Sequence, residues 1–214
     1  MSFGRASSKD LPKDAKVLTE EQALGFQIEI IKKWPSRLEV AALRYGPFLL
    51  GAASVYTGVF LNSHFRKKLM LFHYGKLSTY LPIVVLPAAS SLLYHYEFVL
   101  KDIVLMKTPC PTCIELRSAA FQALFGVIFP LILAPLGCAA VSQRYKTYYL
   151  PDPKNDPKLA FNEFKSFFKP ISKKVWYMFL AHAFLGSALS YFEIRDIINI
   201  NKKLSIPEDE LLSE

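Results

Sequence analysis

Two thiols are the first residues in this chain whose type and spacing suggest chemistry. Cys110 and Cys113 stand in Lys107-Thr-Pro-Cys-Pro-Thr-Cys-Ile-Glu-Leu-Arg117, at the head of the longest apolar run, 118–142. A thiolate near a helix N-terminus has a lowered pKa and is the better nucleophile at neutral pH. Such a pair suits a membrane thiol-disulfide oxidoreductase using Cys110 and Cys113. Electron relay in an enzyme of that kind needs a second cysteine pair, and the only other thiol is Cys138, deep in the apolar run. There it reads as a small packing residue. Zinc fits less well, because one cysteine pair without a second pair or a spaced histidine pair cannot close a tetrahedral site. The structural alternative is a short-range disulfide, or a buried pair that fixes a loop.

Two histidine positions pose the same choice. His95 and Glu97 follow an apolar segment and would serve as a proton or metal pair, or as interfacial polar residues behind the aromatics Tyr94, Tyr96 and Phe98. His182 is the sole ionisable residue of the last apolar segment. An intramembrane histidine raises a functional question by default, but beside Gly186, Ser187 and Ser190 it reads more simply as a neutral inter-helix hydrogen-bond partner. No catalytic, cofactor or metal set is expected from these residues.

The elements that position them are helical. Of 214 residues, 52% are hydrophobic, and the charged residues cluster between apolar runs. That patterning predicts an all-α polytopic membrane protein with four transmembrane helices at about 46–62, 77–94, 118–142 and 175–192. An amphipathic helix should precede them within 18–44. Thr19 and Gln22 fit a capping box, Glu20 and Glu21 suit the helix dipole, and Pro35 ends the element. Residues 1–17 read as a disordered tail, fitting neither a secretory signal nor a mitochondrial presequence. Residues 193–214 read as a polar C-terminal tail beginning as a helix. Pro82 and Pro87 should kink the second span, while Pro130 and Pro135 should bend or break the third. Ser54 and Gly58 offer a close-contact step on the first.

The net charge of +8 would suit nucleic acid, yet no recognition module is visible, and none is expected as a partner. Excess lysine and arginine instead report topology. Four spans put both termini and the cysteine loop on one side. The first and third connections, on the other side, hold twelve Lys and Arg. By the positive-inside rule those connections face the cytoplasm or its matrix equivalent, leaving the thiols on the oxidising side. The connection 143–174 interleaves basic and aromatic residues, and its Leu159–Phe168 stretch suits an interfacial helix on anionic headgroups, which makes membrane lipids a partner. A four-span import or channel component is a further alternative. Against it, no acid, lysine or arginine lies inside the four expected spans.

Three motifs together resemble the transmembrane protein 126 family. They are Asn62-Ser63-His64-Phe65-Arg66, Cys110-Pro-Thr-Cys113-Ile-Glu-Leu-Arg117-Ser118, and Arg144-Tyr145, with Lys169-Pro170 before the last span. The resemblance covers about 44–200. It implies a non-catalytic mitochondrial inner-membrane chaperone for the membrane arm of respiratory complex I. Complex I membrane-arm subunits and other assembly factors would be its partners. The termini and the Cys110–Cys113 loop would face the intermembrane space. It brings no catalytic residues and no cofactor.

Overall fold

The computed structural model describes residues 18–151 and 156–205. The expected tail 1–17 and the end of the tail from 206 lie outside the described residues. Every regular element among the described residues is helical. We number them α1 (Glu20–Lys33), α2 (Ala41–Lys68), α3 (Lys76–Val104), α4 (Pro111–Tyr145), α5 (Pro157–Phe168) and α6 (Ser172–Ser205). A single 3-10 turn, Lys169–Ile171, joins α5 to α6.

The start of α1 follows its sequence signals. Thr19 Oγ1 accepts from the Gln22 amide at 3.4 Å, and Gln22 Oε1 accepts from the Thr19 amide at 3.1 Å. The chain leaves the helix at Trp34, because the residue before Pro35 is sterically pushed out of the helical region. α2 then runs through the bundle interior against α3, α4 and α6, and α4 lies along α6.

The proline-bearing helices stay continuous by widening. A proline removes one backbone donor and crowds the carbonyl four residues earlier. For Pro87 and Pro130 those carbonyls belong to Ile83 and Gly126. Both lie in π-helical turns, Leu81–Val85 and Leu124–Ile128, and the wider turn relieves the clash. The expected break of the third span is therefore absent: α4 is one 35-residue helix. A third π-turn, Tyr96–Leu100, keeps Ser91, His95, Val99 and Ile103 on one buried face. Four-residue steps drift around an α-helix, and a wide turn cancels that drift.

Two glycines set helix spacing. A Cβ on Gly58 of α2 would lie 2.8 Å from the Ile83 carbonyl oxygen, and one on Gly186 of α6 would lie 2.7 Å from that of Ser118. These two glycines let the backbones approach, as the Ser54–Gly58 step predicted for α2.

Three helices are long and apolar enough to cross a membrane: Lys76–Val104, Pro111–Tyr145 and the rod Pro157–Leu204. The chain is thus a multi-pass helical membrane protein. The expected first span, 46–62, lies on α2. That helix has 28 residues, about 42 Å at 1.5 Å per residue, but is less apolar. Tyr45, Ser54, Tyr56, Thr57 and Asn62 dilute it, and most of its polar groups face neighbouring helices.

Two apolar cores sit at opposite ends. At one end Ile31, Val40, Leu43, Val99, Ile103, Ile114, Ile197 and Ile200 join α1, the start of α2, the end of α3, the start of α4 and the end of α6. At the other, Leu61, Phe65, Leu69, Leu71, Ile83, Cys138, Phe167 and Ile171 join the end of α2, the start of α3, the end of α4 and the α5–α6 elbow.

Candidate functional site

The cysteine loop sits at the first of these ends. Cys110 is the N-cap of α4 and Pro111 its first residue, a favoured place for a proline whose amide hydrogen is not needed. The two sulfurs are joined as a disulfide, with Cα atoms 5.4 Å apart. Lys107 pairs with Glu20 of α1, and Arg117 donates to Asp102 Oδ2 at 2.7 Å. Ser118 Oγ donates to the Gly186 carbonyl at 2.8 Å. The Cys-x-x-Cys-x-x-x-Arg-Ser motif is therefore a splice between α1, α3, α4 and α6. Cys138 is 25 residues farther along α4, about 37 Å by helical rise. It is buried in the opposite core, with its sulfur 3.3 Å from Asn62 Oδ1.

Between the ends lies a buried polar hub, to which α2, α3, α4 and α6 each contribute. Gln122 of α4 is its centre. Its Oε1 accepts from Ser91 Oγ of α3 at 2.6 Å, and its Nε2 donates to the Leu50 carbonyl of α2 at 3.1 Å. Those two partners fix the amide orientation. Nε2 also lies 3.0 Å from His182 Nδ1, so Nδ1 accepts and the ring proton sits on Nε2. His182 Nε2 then donates to Thr57 Oγ1 at 2.9 Å. His182 is thus an inter-helix hydrogen-bond partner, satisfied on both nitrogens. Gly126 packs against its ring, where a side chain would collide with it.

A second buried group lies nearer the cysteine end. His95 Nε2 is 3.0 and 3.1 Å from the two carboxylate oxygens of Glu193, and both side chains are almost fully buried. Asp196 Oδ2, one turn on, accepts from the Ala42 amide at 3.2 Å and so caps the open start of α2. His95 and Glu97, adjacent in sequence analysis, do not meet. His95 turns inward to Glu193, whereas Glu97 turns outward and pairs with Lys101.

The Asn-Ser-His-Phe-Arg motif ties the opposite end. Asn62 Nδ2 donates to Thr79 Oγ1 at 3.4 Å, and His64 Nε2 lies 2.9 Å from the Phe167 carbonyl. The Arg66 guanidinium donates to Thr79 Oγ1 at 2.8 Å and to the carbonyls of Phe72 and Tyr74, both at 2.9 Å. The turn after α2 needs this clamp because Met70, Phe72 and Gly75 all have left-handed backbone, which strains the two side-chain-bearing residues. Among the described residues no group of three or more His, Cys, Asp or Glu side chains is arranged to hold a metal ion.

Sequence reading missed Glu193, Asp196 and Gln122 as interior groups. The signal was present. His182, Gly186, Leu189, Glu193, Ile197 and Ile200 recur at three- and four-residue steps, one continuous inward stripe on α6. As charged residues after an apolar run, the carboxylates read on sequence as the end of a span.

A bundle with apolar flanks, satisfied polar groups between helices and at least three candidate spans defines a helical multi-pass membrane protein. The profile of the family described as Transmembrane protein 126 matches residues 26–205, and the chain belongs to that family. It is 43% identical over 172 residues to Transmembrane protein 126 of Drosophila melanogaster, covering 80% of this chain and 77% of that one. It is 27% identical over 169 residues to Transmembrane protein 126A of Mus musculus, covering 79% and 82%. No solved structure matches it.

Proposed function

We propose that this protein is a non-catalytic assembly factor of the mitochondrial inner membrane that holds membrane-arm subunits of respiratory complex I during their incorporation. The reading rests on membership of the Transmembrane protein 126 family and on what the helices do with their two kinds of surface. Interior polar groups are spent on one another, as in the Gln122–His182–Thr57 chain. Outward faces carry large apolar side chains, including Phe48, Tyr56, Leu77, Leu136 and Phe184. Such faces suit lateral contact with unassembled apolar helices, which would otherwise aggregate or be degraded.

Within this proposal α2 is a fourth span. Its start, the end of α3, the start of α4 and the end of α6 share one apolar core, which fits four antiparallel crossings. Both termini and the cysteine loop would then face the intermembrane space, and the basic connections the matrix. The Cys110–Cys113 disulfide would be a loop staple.

Co-purification tests the reading. After mild detergent solubilisation, the tagged protein should recover complex I membrane subunits and other assembly factors. A Cys110→Ser, Cys113→Ser variant should recover the same set. Recovery without any such subunit contradicts the chaperone reading. Loss of activity in the serine variant, with normal abundance, would point to thiol chemistry instead.

A further inference from the structure

The ion pairs among the described residues are confined to the cysteine end: Lys33–Glu29, His95–Glu193, Lys101–Glu97, Lys107–Glu20, Arg117–Asp102, Arg195–Asp196 and Lys203–Glu39. The opposite end is built otherwise. Lys158, Lys165, Lys169 and Lys173 on α5 and the elbow, and Lys67 and Lys68 at the end of α2, are exposed. None of these six takes part in an ion pair among the described residues.

The same end turns large apolar side chains outward. Phe72 is 74% exposed, Tyr149 92% and Phe161 68%. α5 explains how the two features combine. Phe164 and Phe167 pack in the second core and Ala160 is buried beside them in sequence, so the helix is pinned to that end of the bundle. The pinning contacts include His64 to the Phe167 carbonyl and Phe65 edge-on to Phe168 with ring centres 5.1 Å apart. Its outer flank carries Phe161 between Lys158 and Lys165, three residues before and four after, neighbours on a helix surface. An apolar ring framed by long cationic side chains is the arrangement of a helix lying in a headgroup layer, with Phe161 toward acyl chains and the ammonium groups toward phosphates. One 3-10 turn joins α5 directly to the long apolar helix α6, which keeps it at the end of that span.

We propose that the flank of α5, with the Lys169–Lys173 elbow, is a binding surface for anionic phospholipids, recognised by their phosphodiester charge. A lysine that only sets topology needs no ordered neighbour. These lie on a helix pinned to the core, beside an exposed ring, with no acidic partner among the described residues. A lipid surface suits them better than an acidic protein, because the face borders the apolar flanks of the spans.

The test uses the full-length protein in mild detergent, titrated with phosphatidylglycerol or phosphatidylcholine. Retained lipid is counted by native mass spectrometry, and the thermal transition is followed in parallel. Each lysine near an anionic surface is worth about 1 kcal/mol, or roughly five-fold in affinity. Wild type should therefore retain phosphatidylglycerol over phosphatidylcholine, and this preference should weaken with salt. A variant combining Lys158→Gln, Lys165→Gln, Lys169→Gln and Lys173→Gln should lose at least about ten-fold. A control combining Lys32→Gln, Lys33→Gln, Arg37→Gln and Lys202→Gln, with the same change of charge at the other end, should retain it. The four-fold Lys→Arg variant should also retain it, and exposed Phe161→Ala should weaken both lipids' retention without unfolding. Equal loss in the control, no preference for phosphatidylglycerol in wild type, or capture of a protein by this face in place of lipid overturns the proposal. None of these readouts depends on complex I subunits, so the outcome is separate from that of the assembly reading.

Discussion

The two ends of the bundle handle charge in opposite ways. At the cysteine end, acids and bases are matched, some of them deep in the protein. His95 and Glu193 are buried together, Asp196 caps α2, and Lys203 reaches Glu39 across the loop between α1 and α2. At the α5 end, the one buried cation among the described residues, Arg66, is spent on backbone carbonyls of a strained turn, and the exposed lysines have no ion-pair partner among those residues. Matched charge closes a surface, whereas unmatched charge leaves one open to something negative. One end reads as a clasp holding helices together, and the other as a face turned to the membrane.

That contrast ranks the effects of substitution. Breaking the buried pair should matter most. Glu193→Ala leaves His95 buried without its carboxylate and should cost about 3–5 kcal/mol, whereas exposed Lys173→Ala should change stability by less than about 0.5 kcal/mol. Chemical unfolding in detergent would measure both. If the two changes prove equal, the clasp is not where the stability lies.

Next come the hub and its close approaches. Gln122→Leu removes an amide that serves α2, α3 and α6, leaving buried Ser91 Oγ and His182 Nδ1 without their partner, at about 1–3 kcal/mol. Gly58→Ala forces a Cβ against the Ile83 carbonyl at 2.8 Å, which costs about 1–3 kcal/mol through helix separation. Thermal unfolding of each variant checks these, and Gly25→Ala, with open space around its Cβ in the interior of α1, is the control, which helix propensity should leave unchanged or slightly more stable.

The smallest effect should be electrostatic and pH-dependent. Hydrogen bonds from Lys203, then from Trp34, hold the Glu39 carboxyl below its ordinary value of 4.5. A carboxylate with a lowered folded-state pKa stabilises the fold above the ordinary value. That contribution is lost as pH falls from about 4.5 through the lowered folded value. Glu39 is partly open to solvent, so the effect is small and screened by salt. The unfolding midpoint of wild type should fall slightly more than that of Glu39→Gln between pH 6 and pH 3.5, in low salt only.

Much of the helical content was legible in the sequence because it depends on local pattern. The capping box at Thr19, the exit at Pro35, the apolar runs and the Ser54–Gly58 contact step all rest on neighbours in the chain. His182 was legible too, since a lone histidine among small residues has few options other than hydrogen bonding. What escaped was set by distant partners. Sequence sets His95 beside Glu97, two residues away, but a helix points such residues apart, and its partner Glu193 is 98 positions on. Pro130 in α4 suggests a break because sequence does not reveal the π-turn Leu124–Ile128 that absorbs its clash. The cysteine pair drew attention as chemistry, while its third relative, Cys138, was bound to end up at the far core once α4 was continuous.

The central claim is that the clasp and the open basic face lie on opposite sides of the membrane, with α2 crossing between them. Site-directed labelling tests it most directly. In a Cys110→Ser, Cys113→Ser background, with buried Cys138 retained, single changes Arg37→Cys, Glu115→Cys and Lys146→Cys are exposed to an impermeant maleimide in sealed mitoplasts. Labelling of positions 37 and 115 from outside, with position 146 reacting only after the membrane is opened, is the predicted result. Labelling of 37 together with 146, rather than with 115, would contradict the account.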